Sequence, residues 1–308
     1  MQHTTDDGRV LHVHLEGPPD SGSDTPLTVV LAHCWASDHT LWGYQALDLR
    51  GTFGSAIRVL RYDHRGHGRS DRVPESETRI ERLGDDLAEL IDAYAPTGDL
   101  VLAGHSLGGM TIMALAARRP ELFGAEGRVR GVAFVATSSG QLDTVTLGLP
   151  AGAGDLLRPQ LPTILAARAR KLSRRQRRRH PVTETLIARK FLLAPGARRI
   201  DVRHAVNGLI NTHPESMCGY YRDLMRHDRI DALAALADTP THVLVGSKDL
   251  LTPPAHATRL AEAIPGCRLS IIPGAGHYLP LERDFVVSEA LVDLVRDALA
   301  ARDSTYAA

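Results

Sequence analysis

The stretch "VLAGHSLGGM", Val101 to Met110, places one serine between two glycines immediately after an apolar run. Its central residues, Gly104 to Gly108, match the pattern G-x-S-x-G, in which the serine occupies a sharp turn between a strand and a helix. Glycine suits both flanking positions because it tolerates close backbone contacts that a side chain would block. The stretch therefore predicts that Ser106 is a nucleophile at the end of a buried strand.

Short apolar or β-branched runs recur on both sides of this stretch, and segments of helical period separate several of them. Most of these runs are typical of strands in a sheet that is buried on both faces. Strands are predicted at 10–15, 28–32, 57–62, 100–103, 129–136, 242–245 and 268–272. Helices are predicted in "ERLGDDLAELIDAY", "ATRLAEAI" and "FVVSEALVDLVRDALA". This alternation predicts an α/β protein with a mostly parallel central sheet flanked by helices on both sides.

One region interrupts the alternation. Between Gly140 and Arg226 the sequence has no convincing strand, and prolines divide it into several helix-compatible pieces. We expect a helical insertion there that covers the end of the sheet as a lid. The chain is accordingly predicted to consist of a first part of an α/β core (1–139), a helical lid (140–226) and a second part of the core (227–308).

Composition restricts the class of protein. The 308 residues are 43% hydrophobic, and 36 Lys and Arg balance 36 Asp and Glu. This balance gives no reason to expect a nucleic-acid partner or a stable membrane association. The three cysteines are widely spaced and form no C-x-x-C pair, which favours a reducing compartment over a disulfide framework. The first residues lack the pattern of a signal peptide, so we expect a cytoplasmic protein.

The downstream sequence offers partners for the serine, which needs a base that a carboxylate in turn orients. "THVLVGSKDLLTP" is a buried strand followed by a loop that holds Asp249, and "LSIIPGAGHYLPLE" is a strand followed by a loop that holds His277. Residues just beyond the carboxyl ends of parallel strands line one crevice, so Ser106, Asp249 and His277 are expected to converge. Asp143, which follows the strand predicted at 129–136, is an alternative source of the carboxylate.

Four parts of the sequence together resemble the α/β-hydrolase fold family: "LAHCW", "YDHRGHGRS", "GHSLGG" and the pair "GSKDLLTP" with "GAGHYLPLE". Each follows a predicted strand, and the order Ser, Asp, His along the chain is that of the family. The resemblance runs from about Val10 to Ala300 and is weakest in the helical insertion. It implies that Ser106 is the nucleophile, His277 the general base and then acid, and Asp249 the orienting carboxylate.

The resemblance also implies two backbone donors for an oxygen that becomes negatively charged. One is the amide of Leu107, which follows the nucleophile, and the other is the amide of Trp35 in "HCW". The family usually has glycine where this chain has Cys34. If the glycine of the family adopts a left-handed conformation, a cysteine at the same position would be strained. Cys34 also places a thiol near the predicted site.

Other residues within the motifs have simpler interpretations. His33, His64, His67 and His105 lie on separate loops without the spacing H-x-x-x-H or H-E-x-x-H. Together with His277 they are therefore expected to form structural hydrogen bonds and not a metal site. We expect neither a metal ion nor an organic cofactor.

The run "RARKLSRRQRRRH", Arg168 to His180, is the strongest local charge of the chain. Such a run could attract nucleic acid, anionic lipid or an acidic carrier protein. It has no interleaved aromatic residues and belongs to a chain without net charge, so a solvated helix face is favoured. Apolar residues of the predicted lid would roof the pocket and favour an apolar acyl or ring-bearing substrate.

These residues favour a serine hydrolase of small-molecule carboxylic esters, an esterase or lipase that works through an acyl-enzyme. Haloalkane dehalogenases and epoxide hydrolases of this fold carry an aspartate at the position of Ser106. Neither activity is therefore expected for this chain. The same triad serves other reactions, so a biosynthetic thioesterase, cyclase or acyltransferase that docks an acidic carrier protein is a first alternative. A ligand receptor or scaffold is a second. The oligomeric state is not predicted.

Overall fold

An eight-stranded sheet organises the chain in the computed structural model, which describes residues 1–19, 26–148, 152–157 and 159–306. Its strands are β1 (Gln2–Thr4), β2 (Val10–Glu16), β3 (Leu27–Ala32), β4 (Ile57–Tyr62), β5 (Leu100–His105), β6 (Val129–Val135), β7 (Thr241–Gly246) and β8 (Arg268–Ile272). Their order across the sheet is β1-β2-β4-β3-β5-β6-β7-β8. Strand β2 pairs antiparallel with β1 and with β4, and the other pairs are parallel. The carboxyl ends of β3 to β8 therefore lie along one edge.

Helices cover both faces of the sheet. They are α1 (Gly43–Phe53), α2 (Ile80–Tyr94), α3 (Leu107–Arg118), α4 (Ala153–Leu157), α5 (Gln160–Lys171), α6 (Arg174–Arg179), α7 (Val182–Ile187), α8 (Arg199–Asn211), α9 (Pro214–Leu224), α10 (Pro254–Glu262), α11 (Leu279–Glu282) and α12 (Asp284–Tyr306). Helices α1 and α12 pack on one face, and α2, α3 and α10 on the other. None of these helices, within the described residues, combines the length and hydrophobicity needed to cross a bilayer.

Strand β3 shows how the sequence produces these layers. Leu27, Val29 and Leu31 belong to the core on the side of α1 and α12, whereas Val30 and Ala32 belong to the core on the opposite side. Successive side chains of a strand point to opposite faces, so an uninterrupted apolar run is what a sheet covered on both faces requires.

The predicted strands are all present, each within two residues of its expected bounds. Strand β1 and helix α1 were not expected. Strand β1 consists only of "QHT", which has no apolar signature, and it is held by its backbone pairing with β2. Helix α1 has no clean apolar stripe, since Leu47 is exposed while Ala46 and Leu49 are buried. Its packing against α12 and not its own pattern makes it a helix.

Helices α4 to α9 and one π-helical turn, Ala188–Leu192, lie between β6 and β7. We call residues 152–225 the helical segment. The described residues of the segment contain no strand, as expected from the sequence. Residues 149–151 and 158 of the predicted insertion lie outside the described residues. The division of the chain at 140 and 226, and the action of the segment as a lid, stay predictions.

Candidate active site

Ser106 occupies the turn between β5 and α3. Its backbone has φ 54° and ψ −113°, a conformation that residues with side chains rarely adopt. The amide of Ser106 donates to the carbonyl of Val135 at 3.0 Å, and its carbonyl accepts from the Thr137 hydroxyl at 2.7 Å. Contacts to the end of β6 thus hold the strained turn in place, as such strain requires.

The glycines on either side of the turn leave room for backbone alone. A Cβ on Gly108 would lie 2.1 Å from the carbonyl oxygen of Ala32, and one on Gly104 would lie 2.4 Å from the carbonyl oxygen of Gly108. Either contact is far inside van der Waals distance. The crowding that the G-x-S-x-G pattern predicts is therefore present at both positions, and it presses the first turn of α3 against β3 and β5.

Asp249 follows β7, His277 follows β8, and their side chains meet. His277 Nδ1 lies 2.8 Å from Asp249 Oδ2, and both residues are only 3% exposed. Asp249 Oδ1 accepts from the amides of Leu251 and Thr252 at 2.8 and 2.9 Å, and the Thr252 hydroxyl donates to Oδ2 at 2.9 Å. A carboxylate only accepts, so Nδ1 carries the proton and the lone pair of Nε2 is left to act as a base.

Backbone contacts fix the loop that carries His277. The amides of His277 and Tyr278 both donate to the carbonyl of Leu192, at 3.1 and 3.0 Å, so the π-helical turn of the helical segment supports the histidine directly. From the other side, His105 Nε2 donates to the carbonyl of His277 at 2.8 Å. Complete burial lowers the pKa of His105 well below its usual range, which keeps its ring neutral. The residue before the nucleophile thereby ties the two loops together.

Ser106 and His277 lie in the wall of one cavity of about 740 Å³, a volume that includes its mouth. Its lining is mainly aliphatic, with Met110 and Leu251 from the core and Leu161 and Leu192 from the helical segment. Among the described residues that line it, none is Asp, Glu, Lys or Arg. The arrangement can hold an uncharged carbonyl compound against a serine beside an oriented imidazole.

A sequence profile of the alpha/beta hydrolase family matches residues 29–290. The chain belongs to this family. Its fold, with the mostly parallel sheet and flanking helices expected from the sequence, is the α/β-hydrolase fold, and the chain is a hydrolase.

Relatives of this α/β hydrolase include enzymes that cleave carbonyl compounds. A Caulobacter sp. (strain K31) protein that carries the name carbamate hydrolase RutD is 29% identical over 278 residues, 90% of this chain and 91% of that protein. A thermophilic esterase from Thermogutta terrifontis is 25% identical with a TM-score of 0.72, over 97% of this chain and 98% of that one. An enol-lactonase from Burkholderia xenovorans LB400, at 22% identity and a TM-score of 0.72 over 96% and 100% of the chains, shares the fold.

The backbone donors expected for an oxyanion are the amides of Leu107 and Trp35. Leu107 is the first residue of α3, where helical amides have no partner within the helix. Trp35 lines the same cavity as Ser106. Among the described residues, neither amide donates to another protein group, so both N–H groups are available. Their joint use as an oxyanion hole stays a prediction.

Cys34 is not strained in the α/β hydrolase. The positive φ of this loop falls two residues later, at Ala36 with φ 55°, and not at the cysteine. Burial raises the pKa of the Cys34 thiol to about 12. The thiol is therefore protonated at neutral pH and is not a competing nucleophile. Asp143, the alternative carboxylate, is exposed on the turn Leu142–Thr144, and it is Asp249 that contacts His277.

The histidines of the motifs are engaged in backbone hydrogen bonds. His33 Nδ1 donates to the carbonyl of Cys34 at 2.8 Å, while His33 Nε2 accepts from the amide of His64 at 2.9 Å. His64 Nε2 in turn donates to the carbonyl of His33 at 2.9 Å. Burial lowers the pKa of His64 to about 3 and that of His67 to about 4, so both rings stay neutral. These rings brace the loops around the site.

Three other residues have side-chain atoms close enough to one another to form a possible metal site. His12, His39 and Asp63 place such atoms within 4.8 Å of one another. The Asp63 carboxylate, however, already accepts from the ring and the amide of His39, both at 2.7 Å, and from the amide of Arg69 at 2.8 Å. Asp63 therefore anchors the "DHRGHGRS" loop, and protein donors already use three of the lone-pair positions of its carboxylate.

Sequence reasoning missed four supports of the candidate site. They are Thr252, which orients Asp249; the carbonyl of Leu192 and the ring of His105, which hold His277; and Glu282, whose Oε2 accepts from the amides of Ala194 and Gly276 at 2.8 and 3.2 Å. A local signal existed only for the turn at Asp249, because aspartate side chains commonly accept from the backbone amide two residues on. The contacts of Leu192 and His105 with His277, and that of Glu282 with Ala194, join residues far apart in the chain.

Proposed function

We propose that this α/β hydrolase cleaves uncharged carboxylic esters with apolar acyl groups by way of Ser106, His277 and Asp249. One observation carries the proposal: Ser106 and His277 share the wall of an apolar cavity while buried Asp249 fixes the tautomer of His277. A serine hydroxyl becomes an effective nucleophile when a neutral imidazole accepts its proton. The proposed pathway therefore begins with proton transfer from the serine hydroxyl to His277 Nε2.

In that pathway the serine oxygen attacks the ester carbonyl, and the amides of Trp35 and Leu107 stabilise the resulting oxyanion. Collapse of the tetrahedral intermediate breaks the bond to the alcohol, which leaves with the proton held by His277. Water then attacks the acyl-enzyme, with His277 accepting its proton, and a second collapse releases the acid and restores the serine hydroxyl. The orienting carboxylate of Asp249 stabilises the imidazolium in both halves of the reaction.

The cavity lining supports the substrate class. An ionised carboxylate in the acyl group would lose its hydration and meet no cation among the described lining residues. Aliphatic acyl chains would instead contact Leu161, Leu192 and Leu224, which the helical segment contributes. This contribution to the roof of the cavity is also what supports a role for the segment as a lid.

The proposal is tested by labelling the protein with a fluorophosphonate and by measuring hydrolysis of p-nitrophenyl esters of increasing chain length. The matched pair is Ser106→Ala and Ser55→Ala, because Ser55 is exposed and precedes β4, at the opposite edge of the sheet. We expect labelling and hydrolysis to vanish in Ser106→Ala only, by about 10⁵-fold or more in kcat. Acyl thioesters of the same chain lengths test whether the leaving group matters.

The proposal fails if folded wild-type protein is not labelled, or if Ser106→Ala retains hydrolysis of the esters. Rates that rise only when the acyl chain carries a charge would contradict the proposed substrate class. Tight binding of an ester without turnover would favour a receptor.

A further inference from the structure

The charge of the chain is distributed unevenly. Residues 160–203, all of them described, contain thirteen Arg and Lys but only two acids, Glu184 and Asp201, although the two signs balance over the whole chain. Both acids are buried, and they bond to Arg168 and Arg198. Every exposed charge in this stretch is therefore positive: Arg170, Lys171, Arg174, Arg175, Arg178, Arg179, Arg189, Lys190, Arg198, Arg199 and Arg203. We call the exposed side of residues 160–203 the cationic face.

Exposed aliphatic side chains lie among these cations. Val182 is 65% exposed and Leu186 64%, and with Arg189 and Lys190 they follow the spacing that places residues on one side of a helix. On α8, exposed Ile200 lies beside Arg199 and one turn before Arg203, and on α5 exposed Ile164 precedes Arg170 and Lys171. Exposed faces on three helices thus share the same mixture.

Contacts between the helices place the elements that carry these faces side by side. Arg168 of α5 bonds to Glu184 of α7, Arg174 and Arg178 of α6 bond to Asn211 of α8, and α7 packs against α8. Two members of the same stretch, Leu161 and Leu192, line the cavity of the candidate active site. The cationic face therefore lies on the outside of elements whose inner side contacts the proposed substrate.

We propose that the cationic face is a docking surface for anionic lipid. Lys and Arg near a negatively charged leaflet are attracted to the headgroups, while aliphatic side chains enter the boundary between headgroups and acyl chains. A nucleic acid would favour exposed aromatic side chains for stacking, and the sole aromatic residue of the stretch, Phe191, is half-buried. The aliphatic residues are distributed over α5, α7 and α8, which suits an extended lipid surface better than one docked helix of an acidic protein.

The association expected from this surface is peripheral and reversible, because it combines electrostatic attraction with shallow insertion. Docking itself does not depend on ester hydrolysis. Delivery of an apolar ester from the lipid to the cavity rests on the proposed function, and binding and turnover are therefore measured separately.

Binding is tested with the Ser106→Ala protein, which removes turnover, by flotation with vesicles of phosphatidylcholine alone or mixed with phosphatidylglycerol. The matched pair is Arg175→Glu/Arg179→Glu on the cationic face and Arg118→Glu/Arg296→Glu on the core, where both arginines are well exposed. We expect binding only to the anionic vesicles and a loss of binding in high salt. The first pair should weaken binding by roughly thirtyfold or more, since each cation near the surface contributes about fivefold, and the second pair by much less.

A further variant, Val182→Ser/Leu186→Ser, should weaken binding while leaving its salt dependence unchanged. The proposal is overturned if the folded protein ignores anionic vesicles, or if both charge-reversal pairs weaken binding equally. Binding to an acidic acyl carrier protein that is lost in Arg175→Glu/Arg179→Glu, without binding to vesicles, would assign the face to a protein partner instead. Hydrolysis of a soluble short ester by Arg175→Glu/Arg179→Glu with Ser106 intact should equal that of wild type, because no backbone hydrogen bond of the described residues joins α6 to the His277 loop. A failed proposed function would appear in this hydrolysis assay and not in the flotation.

Discussion

The carboxyl ends of the strands and the helical segment border the same cavity, but different forces determine their positions. At the strand ends, backbone lies against backbone, and a Cβ on Gly108 would come within 2.1 Å of Ala32. In the helical segment, a Cβ on Gly196 would meet nothing within 4 Å, and the outer surface is dominated by mutually repelling cations. The first region tolerates no change in shape, whereas the second, apart from the π-helical turn that holds His277, can alter its surface and its lining without moving the reactive groups.

The largest difference between the regions is expected at the carboxylates. Asp249→Asn should lower kcat for a p-nitrophenyl ester by about 10⁴-fold, because the amide no longer selects the productive tautomer of His277. Asp143→Asn, at the exposed turn before the helical segment, should stay within about twofold, since Asp143 does not contact His277. Steady-state kinetics on both variants decide between the two carboxylates, and a larger loss in Asp143→Asn would reverse the assignment.

Glycine substitutions compare the two regions by stability. Gly108→Ala should lower the free energy of unfolding by about 4 kcal/mol or more, because α3 would have to move away from β3. Gly196→Ala adds a methyl group in open space but keeps a positive φ of 90°, and it should cost about 1–2 kcal/mol. Urea denaturation of both variants measures the contrast. Equal losses would mean that the strand ends are no more rigid than the helical segment.

Substrate charge tests the lining that the helical segment contributes. We expect kcat/KM for p-nitrophenyl hexanoate to exceed that for the ionised mono-p-nitrophenyl ester of adipic acid by about 100-fold, because the carboxylate would be left without a partner. Leu161→Arg should narrow this ratio by supplying a cation from α5 while leaving hydrolysis of short neutral esters within about threefold. A ratio near unity in the wild type would contradict an apolar cavity.

The smallest effect, taken per pH unit, concerns the histidines in the loop after β4. The folded-state pKa values of His64 and His67, about 3 and about 4, lie below their unfolded value of about 6.5, so the unfolded chain binds more protons in this range. The stability that they contribute is present above pH 6.5 and is lost as the pH falls, by about 1.4 kcal/mol per pH unit for each histidine. His67→Asn should reduce this slope by one proton. Urea denaturation over this pH range provides the slopes.

The two regions also differed in how far the sequence could predict them. Strands such as β3 and β5 could be recognised because burial on both faces demands nearly continuous apolar residues. Ser106, Asp249 and His277 could be expected at one edge of the sheet because each lies in the turn or loop after such a strand and because strand ends converge. Local sequence was sufficient where a residue's surroundings are set by its own strand.

The sequence was insufficient where the decisive partner is remote. The hydrogen bond from His105 to the carbonyl of His277 spans 172 positions, and no local sequence pattern at either residue predicts it. Cys34 led to an expectation of strain, but the loop places its unusual angle at Ala36. The basic run was visible as charge, yet only the structure showed that both acids of the stretch are buried and that Val182 and Leu186 are exposed beside the cations.

The contacts of the Leu192 carbonyl determine which parts of the helical segment could be exchanged between related proteins. It accepts both amides of the loop at His277, and Glu282 holds the adjacent Ala194, so this part of the segment belongs functionally with the histidine loop. A chimera that exchanges residues 152–187 for those of another family member should keep the imidazole in place. A chimera in which the π-helical turn is also exchanged would replace the backbone that holds the imidazole. The donor's histidine loop would then have to be exchanged together with the turn.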